Sequence, residues 1–273
     1  MTLTALGDGA YTGELNKHWT IGPKLHGGVM LSLCAAAARE ACGGIQPVAV
    51  SANYLSAPSP GELRLETFVR KRGRTVSVVD VELIGGGRTG DERSREEKKT
   101  AVHAVVTLAE PEHHVPPLLS ANPVVSLMDP EPPPDVEPIG PGHEMHGTVN
   151  YWQGCDIRPL MSTVPGSQSP GEDVRPPVIQ YWARPRGHPP DALFALMCGD
   201  ISVPVAFAVG RRGWAPTVQL TAYLRGLPAD GWLRVLSTTT QIGQDWFDED
   251  ALVVDSEGRL IVQCRQLALV PSH

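Results

Sequence analysis

Apolar and polar residues alternate along eight segments of the chain, four on each side of a proline-rich stretch. A period of two is typical of β-strands that bury one face. The predicted strands cover residues 48–56, 62–71, 75–84 and 100–110, and then residues 216–225, 232–241, 251–255 and 259–270. The pattern therefore predicts two groups of antiparallel strands.

An apolar helix is predicted ahead of each group of strands. Residues 29–41 form an alanine-rich helix in the first half. Ala192–Cys198 form a shorter one in the second half, where Asp191 is placed to cap the N-terminus. Both segments are apolar around most of their circumference, as expected for a helix that other structure surrounds.

The two halves also repeat each other in sequence. Tyr54-Leu55 aligns with Tyr223-Leu224 at an offset of 169 residues, and a Leu-Arg pair follows in both halves after one inserted residue in the second. A sheet that curls around its own helix is the hot-dog fold. We therefore predict an α+β protein, a tandem (double) hot-dog in which each antiparallel sheet wraps around a central helix.

Proline residues crowd the stretch 111–141, where a chain that so often lacks a backbone donor is typical of a linker. We expect an N-terminal hot-dog domain over residues 1–110, a proline-rich linker over 111–147 and a C-terminal hot-dog domain over 148–273. The linker should cross the surface with little regular structure and be the first place that a protease cuts.

The composition excludes several classes of protein. Of the 273 residues, 41% are hydrophobic and 19% are charged, which is enough apolar material for a core. The net charge is −7 and the 23 basic residues are scattered, so no nucleic-acid partner is expected. The longest apolar stretch contains Asp200 and Pro204, which disfavour a membrane span, and residues 1–9 do not resemble a signal peptide.

Cysteine and histidine spacing does not favour a metal site. The five cysteines are odd in number and no two are spaced as Cys-x-x-Cys, which favours core thiols in a reducing cytoplasm. His143 and His146, and the pair His113-His114, lie among glycine and proline residues that fix no ligand geometry. We therefore predict a cytoplasmic protein with no metal and no cofactor.

Two glycine-containing segments resemble known motifs only in part. Residues 166–171 approach the Gly-x-Ser-x-Gly motif of hydrolases, but Ser167 occupies the place of the first glycine and no strand precedes the segment. Residues 85–99 are glycine-rich and then charged, which is most simply a hairpin loop. Neither segment predicts a nucleophile or a nucleotide site.

Two features at helix ends are candidates for chemistry. His26-Gly27-Gly28 precedes the first helix, and its glycines let backbone N–H groups approach a ligand oxygen; the alternative is a tight entry turn. Asp200 lies within an apolar run, where a carboxylate is costly unless it is hydrogen-bonded, exposed or protonated. The alternative for Asp200 is an exposed position at the end of the second helix.

Gln266 is the third candidate. A regular last strand places it on one face with Val262, Cys264 and Ala268, where it is the only polar side chain and needs partners. The alternatives are a slip in the pleat or a lone structural amide. Thr217, at the start of another strand, is by itself an ordinary strand threonine.

Together these segments resemble a known family. Tyr181-Trp-Ala-Arg, the helix before Asp200, the segment beginning Thr217-Val-Gln-Leu-Thr and the segment Gly258-Arg-Leu-Ile-Val-Gln-Cys-Arg-Gln266 resemble the second half of thioesterase II-type acyl-CoA thioesterases. That family uses an Asp, a Ser or Thr, and a Gln on a double hot-dog to orient a water molecule. The resemblance implies that Asp200, Thr217 and Gln266 are catalytic, without metal or covalent intermediate.

The first half resembles the His-Gly-Gly-bearing hot-dog of the same superfamily. This resemblance implies that His26, Gly27 and Gly28 bind substrate and that the chain hydrolyses a (fatty) acyl-CoA to free acid and CoA. Single-domain relatives carry their acid about nine residues past the His, where this chain has Ala35. The catalytic acid is therefore expected only in the second half.

One departure and two rival functions accompany this interpretation. The family has Asp-His-Ser after the Thr, whereas this chain has Gln219-Leu220-Thr221, which is typical of a divergent branch. A hot-dog hydratase would need a His beside Asp200, and His188 is the nearest in sequence. A protein that binds acyl-CoA or an acyl chain without turnover would keep the fold. The sequence leaves open whether the double hot-dogs form a homo-oligomer.

Overall fold

Twelve antiparallel strands form one continuous sheet in the computed structural model, which describes residues 2–85, 99–113, 115–165 and 176–272. The strands are β1 (Thr4–Gly7), β2 (Ala10–Leu15), β5 (Pro47–Tyr54), β6 (Gly61–Lys71), β7 (Ser77–Gly85), β8 (Thr100–Leu108), β9 (Cys155–Pro159), β10 (Val178–Pro185), β11 (Thr217–Leu224), β12 (Leu233–Thr238), β13 (Trp246–Val254) and β14 (Leu260–Leu269). Their order is β1-β2-β6-β7-β8-β5-β11-β14-β13-β12-β10-β9. Two short strands, β3 (Thr20–Ile21) and β4 (Lys24–Leu25), pair separately.

All eight predicted strands are confirmed, with ends that shift by a few residues. The largest shift is at β13, which begins at Trp246 rather than at residue 251 because the charged run 248–250 belongs to the strand. β1, β2 and β9 were not predicted, and the resemblance alone indicated β10. β9 is short and buried at nearly every position, so it carries no alternation.

Within the described part of the chain, three α-helices accompany the sheet: α1 (Gly27–Ala41), α2 (Val124–Leu127) and α3 (Ala192–Cys198). The two predicted apolar helices are confirmed as α1 and α3. Every residue of α1 from Gly28 to Ala38 is buried, and the helix contacts β5, β6, β7, β8 and α3. Asp191 caps α3 as predicted, accepting a hydrogen bond from the Phe194 amide at 2.8 Å.

The two halves of the chain join where β5 pairs with β11. Ser51 lies opposite Thr221, and Ala52 lies opposite Leu220. At the sequence offset of 169 residues, Ser51 is equivalent to Leu220 and Ala52 is equivalent to Thr221. Each of the two pairs is therefore equivalent to the other. The equivalent strands of the two halves therefore meet edge to edge with local pseudo-twofold symmetry.

Buried side chains tie down the proline-rich stretch between the halves. Its regular structure within the described residues is the single turn of α2, yet Val124, Met128, Val136 and Ile139 are buried. Trp182 donates its indole N–H to the carbonyl of Asp129 at 2.9 Å. The stretch thus packs on the second half along part of its length.

Two segments discussed above fall largely outside the described residues. The near-match to a hydrolase motif at residues 166–171 lies wholly outside them, as do residues 86–98 of the glycine-rich and charged loop and His114. Among the described residues, no helix has the length and apolar character needed to cross a membrane.

Arg234 provides a test of how the proline-rich stretch is held. Its buried guanidinium donates to the carbonyls of Met128 at 3.0 Å and Asp255 at 2.6 Å. Arg234→Met leaves both carbonyls without this donor, so we expect the free energy of unfolding in urea to fall by about 2 kcal/mol. Limited proteolysis should also cut residues 123–139 faster in this variant than in the wild type. The exposed control Arg225→Met should lower the free energy of unfolding by less than about 1 kcal/mol. Equal losses in the two variants would show that the hydrogen bonds of Arg234 do not hold the proline-rich stretch.

Candidate functional site

A cavity of about 830 Å³ lies where the N-terminus of α1 meets the end of α3. Most of its wall is apolar, with Leu25, Met30, Ile201, Phe207 and Phe247 among the lining residues. Polar side chains from both halves of the chain also reach it: His26, Tyr54, Asp200, Ser202, Thr217, Glu249 and Gln266. An apolar pocket with a few convergent polar groups is the usual form of a small-molecule site.

Asp200 follows α3 directly and is turned into the cavity. Its side chain is only 10% exposed, so the alternative of an exposed helix end is wrong. The Gly28 amide donates to its carboxylate, and a Cβ built on Gly27 would lie 2.6 Å from Oδ2. The carboxylate therefore occupies the positive end of α1, at a distance that only glycine permits.

His26 caps α1 and holds the backbone beside Asp200. Its Nδ1 accepts from the Val29 amide at 3.3 Å, and its Nε2 donates to the Asp200 carbonyl at 2.8 Å. Burial lowers the pKa of His26, with the Asp200 carboxylate 3.9 Å away opposing that shift. The imidazole is thus neutral, and both of its nitrogens have partners within the protein. The sequence predicted that Gly28 binds substrate, and in the structure its amide donates to Asp200.

The pKa of the Asp200 carboxyl is raised above its ordinary value. Burial is the main cause, while His26 and the Gly28 amide oppose it. Tyr54 and Tyr151 also border the cavity, and burial raises their pKa values so that both stay neutral donors. Tyr54 donates to the Gly27 carbonyl at 3.0 Å and Tyr151 donates to the Ile201 carbonyl at 3.2 Å.

The side chains of Thr217, at the start of β11, and Gln266, on β14, contact each other. The Thr217 hydroxyl donates to Oε1 of Gln266 at 2.5 Å. Gln266 is buried together with Val262, Cys264 and Ala268, so the predicted pleat of the last strand is confirmed. Asp200, Thr217 and Gln266, which are far apart in sequence, line one cavity.

Glu249 is a buried carboxyl in this cavity that the sequence analysis missed. It lies opposite Gln266 in the β13–β14 register and is 2% exposed. The Ser202 hydroxyl and the Val205 amide donate to it, as does the Gln266 amide. Burial raises its pKa to about 8, which Asp200 reinforces and these hydrogen bonds oppose. Extending the strand period through residues 248–250 would have turned Glu249 inward.

The departure at Gln219-Leu220-Thr221 lies at the junction of the halves. Gln219 donates to Ser51 at 3.1 Å and to Thr221 at 2.8 Å, within the β5–β11 pair. Leu220, which replaces the histidine of the family pattern, is buried. The substitution therefore puts an apolar side chain at the inward position.

The described residues hold no cluster of three His, Cys, Asp or Glu side chains with the arrangement of a metal site. All five cysteines are buried and free, as predicted. Burial raises the pKa of Cys34 and of Cys155 to about 12, so neither is a thiolate near neutral pH.

Glu249 makes stability depend on pH. Its folded pKa of about 8 lies above the ordinary value of 4.5, so between these values the folded chain retains a proton that the unfolded chain has lost. The contribution of this group to the free energy of unfolding falls as pH rises through the window, by at most about 1.4 kcal/mol per pH unit. Glu249→Gln does not titrate. We expect the urea midpoint of the wild type, relative to that variant, to fall from pH 6 to pH 8.5; a constant difference would contradict the shift.

Comparisons with known proteins identify the family and the fold. The family models described as the acyl-CoA thioesterase N-terminal and C-terminal domains match residues 15–109 and 128–270. An uncharacterized protein of Mycobacterium tuberculosis H37Rv is 61% identical over 96% of this chain and 91% of its own length.

Solved structures show the same fold. A protein of Thermobifida fusca, described provisionally as a thioesterase II, has a TM-score of 0.81 at 26% identity, covering 99% of this chain and 96% of that one. An acyl-CoA thioesterase II of Mycobacterium marinum has a TM-score of 0.68 at 13% identity, covering 100% and 95%. A hot-dog protein of Alicyclobacillus acidocaldarius has a TM-score of 0.77 at 16% identity, covering 100% and 96%. The fold is a hot-dog fold, and the chain belongs to the acyl-CoA thioesterase family.

Proposed function

We propose that this chain is an acyl-CoA thioesterase that hydrolyses a (fatty) acyl-CoA to the free acid and CoA. The observation that carries the proposal is the single cavity in which Asp200, Thr217 and Gln266 project from an otherwise largely apolar wall. A thioester carbonyl is already electrophilic, so the protein needs only to place a water molecule and to stabilise the oxyanion. An apolar wall of this size suits an acyl chain.

In the proposed mechanism Asp200 is the general base. The raised pKa of its carboxyl brings its basicity closer to neutral pH, which makes it a better proton acceptor once ionised. Thr217 gives its own hydrogen to Gln266, so its oxygen accepts the second hydrogen of the water. The Gln266 amide N–H completes the arrangement by donating to the water oxygen.

The reaction then proceeds in two steps. The water oxygen attacks the thioester carbon as Asp200 takes a proton, which gives a tetrahedral oxyanion near the N-terminus of α1 at Gly27. The positive end of the helix stabilises that charge. The oxyanion collapses, the C–S bond breaks, and Asp200 returns its proton to the leaving sulfur of CoA.

The wider setting is part of the same proposal. The self-matching register at β5–β11 and the two domain models support a double hot-dog with domains at 1–110 and 148–273 and a linker at 111–147. The match to the C-terminal model begins at residue 128, within that linker. Five buried free thiols support a cytoplasmic setting.

A hydratase is the second candidate because the structure brings His26 next to Asp200, which sequence distance concealed. An Asp–His pair of this kind serves hydration only if the imidazole reaches the substrate. Here Nδ1 accepts from Val29 and Nε2 donates to the Asp200 carbonyl, so both nitrogens are used within the protein. The geometry favours hydrolysis over hydration.

The first test is hydrolysis of a panel of acyl-CoAs, followed by release of free thiol. Asp200→Asn should keep the fold and lower kcat by about 100-fold or more, since it removes the base. Gln266→Ala should cost less, because it removes orientation only. The exposed control Asp135→Asn should have the same kcat as the wild type. Wild-type protein that binds acyl-CoA but releases no thiol would support the binding-protein alternative instead.

Gly27→Ala provides a second test of the close approach at α1. The added Cβ would meet Oδ2 of Asp200 at 2.6 Å and displace the carboxylate. Alanine is favourable at the start of a helix, so thermal unfolding should change by less than about 1 kcal/mol while kcat falls about tenfold or more. Gly140→Ala adds a Cβ that meets nothing within 4 Å, so it should leave both the thermal stability and kcat unchanged. Full activity in Gly27→Ala would contradict the placement of Asp200.

A further inference from the structure

The side-chain amide of Gln266 has two chemically different ends, and only one arrangement serves the proposed hydrolysis. Thr217 donates its hydroxyl hydrogen to Oε1, which leaves the NH₂ group to point elsewhere. One of its hydrogens is donated to Glu249, directly opposite in the β13–β14 register. The other is free to face the cavity that both residues line.

The surroundings of Glu249 suit orientation rather than charge pairing. Its hydrogen-bond partners are the Ser202 hydroxyl, the Val205 amide and the Gln266 amide, all of them neutral donors. A buried carboxyl without a cationic partner is costly, so its presence in an apolar wall needs a reason. Holding the Gln266 amide is such a reason.

We propose that Glu249 is a positioning residue whose carboxyl fixes the Gln266 amide with its N–H toward the reacting water. This inference rests on the proposed thioester hydrolysis. Without Glu249 the amide can rotate by half a turn and present its carbonyl oxygen to the water. A water that must also give its hydrogens to Asp200 and Thr217 would then lack a donor.

Ser202 lets Glu249 keep an acceptor oxygen in either protonation state. The Val205 amide can only donate, whereas the Ser202 hydroxyl can either donate to the carboxylate or accept from the acid. A proton on Glu249 therefore lies on Oε1, toward Ser202, and the other oxygen remains an acceptor. The other titratable groups near Glu249 are Asp200, Tyr181 and Cys264.

The decisive variants differ in whether they keep an acceptor for Gln266. Glu249→Gln retains a carbonyl oxygen and imitates the neutral acid, so kcat should stay within about threefold of the wild type. Glu249→Met removes the acceptor at similar volume, so kcat should fall about tenfold while KM changes less than about twofold. Asp250→Asn is the matched control on the same strand, because Asp250 pairs with exposed Arg265.

A double-mutant cycle separates positioning from a merely structural role. In the Gln266→Ala background, Glu249→Met should cause no further loss of kcat, because there is no amide left to orient. An equal tenfold loss in both backgrounds would overturn the proposal. A loss of about 100-fold in Glu249→Gln would also overturn it, because Glu249 would then be the base itself.

A measurement without turnover keeps the proposal separate from the proposed function. In protein labelled with ¹⁵N-glutamine, the Gln266 side-chain signal is identified by its loss in Gln266→Ala. It should exchange slowly with solvent in the wild type and in Glu249→Gln, and rapidly in Glu249→Met. Rapid exchange in the wild type would overturn the positioning role even if Glu249→Met fails to fold. If the wild type hydrolyses no acyl-CoA, the proposed function fails while this signal still reports on Gln266.

Discussion

The N-terminus of α1 lies against the carboxylate of Asp200, and this contact joins the first half of the chain to the second at the candidate site. Gly28 donates its amide, Gly27 leaves room for Oδ2, and the His26 imidazole spans from the helix cap to the Asp200 carbonyl. A helix end carries partial positive charge that must be satisfied, and here an acid of the other half satisfies it. The continuous sheet holds both partners in place by pairing β5 with β11.

Burial dominates the electrostatics of the cavity. Burial raises the pKa of Asp200 and of Glu249, and the Asp200 carboxylate raises the pKa of Glu249 further. Hydrogen bonds from neutral groups oppose these pKa shifts: Gly28 at Asp200, and Ser202 with Val205 at Glu249. In the proposed mechanism, the base lies at the helix end and the orienting pair lies on β13 and β14.

The sequence was sufficient to predict much of the fold and two of the inward-facing polar side chains of the candidate site. Asp200 and Gln266 could be predicted because each is polar where its helix or strand is otherwise apolar. Glu249 was missed because the charged run around it masked the start of β13, although the period of that strand turns it inward. The contact of His26 with Asp200 spans 174 residues, and no local pattern encodes such a pairing.

The pseudo-symmetry of the chain explains why one site forms rather than two. His26 and Asp191 occupy the same capping position on α1 and α3, and the residue nine places later is Ala35 in one half and Asp200 in the other. Ala35 is fully buried in a helix packed against α3, so this position has become core. At the head of α3, moreover, the carboxylate of Asp191 already satisfies the helix end and would repel a second acid. Because the neutral His26 caps α1 instead, only that helix end is left to receive a carboxylate from the opposite half.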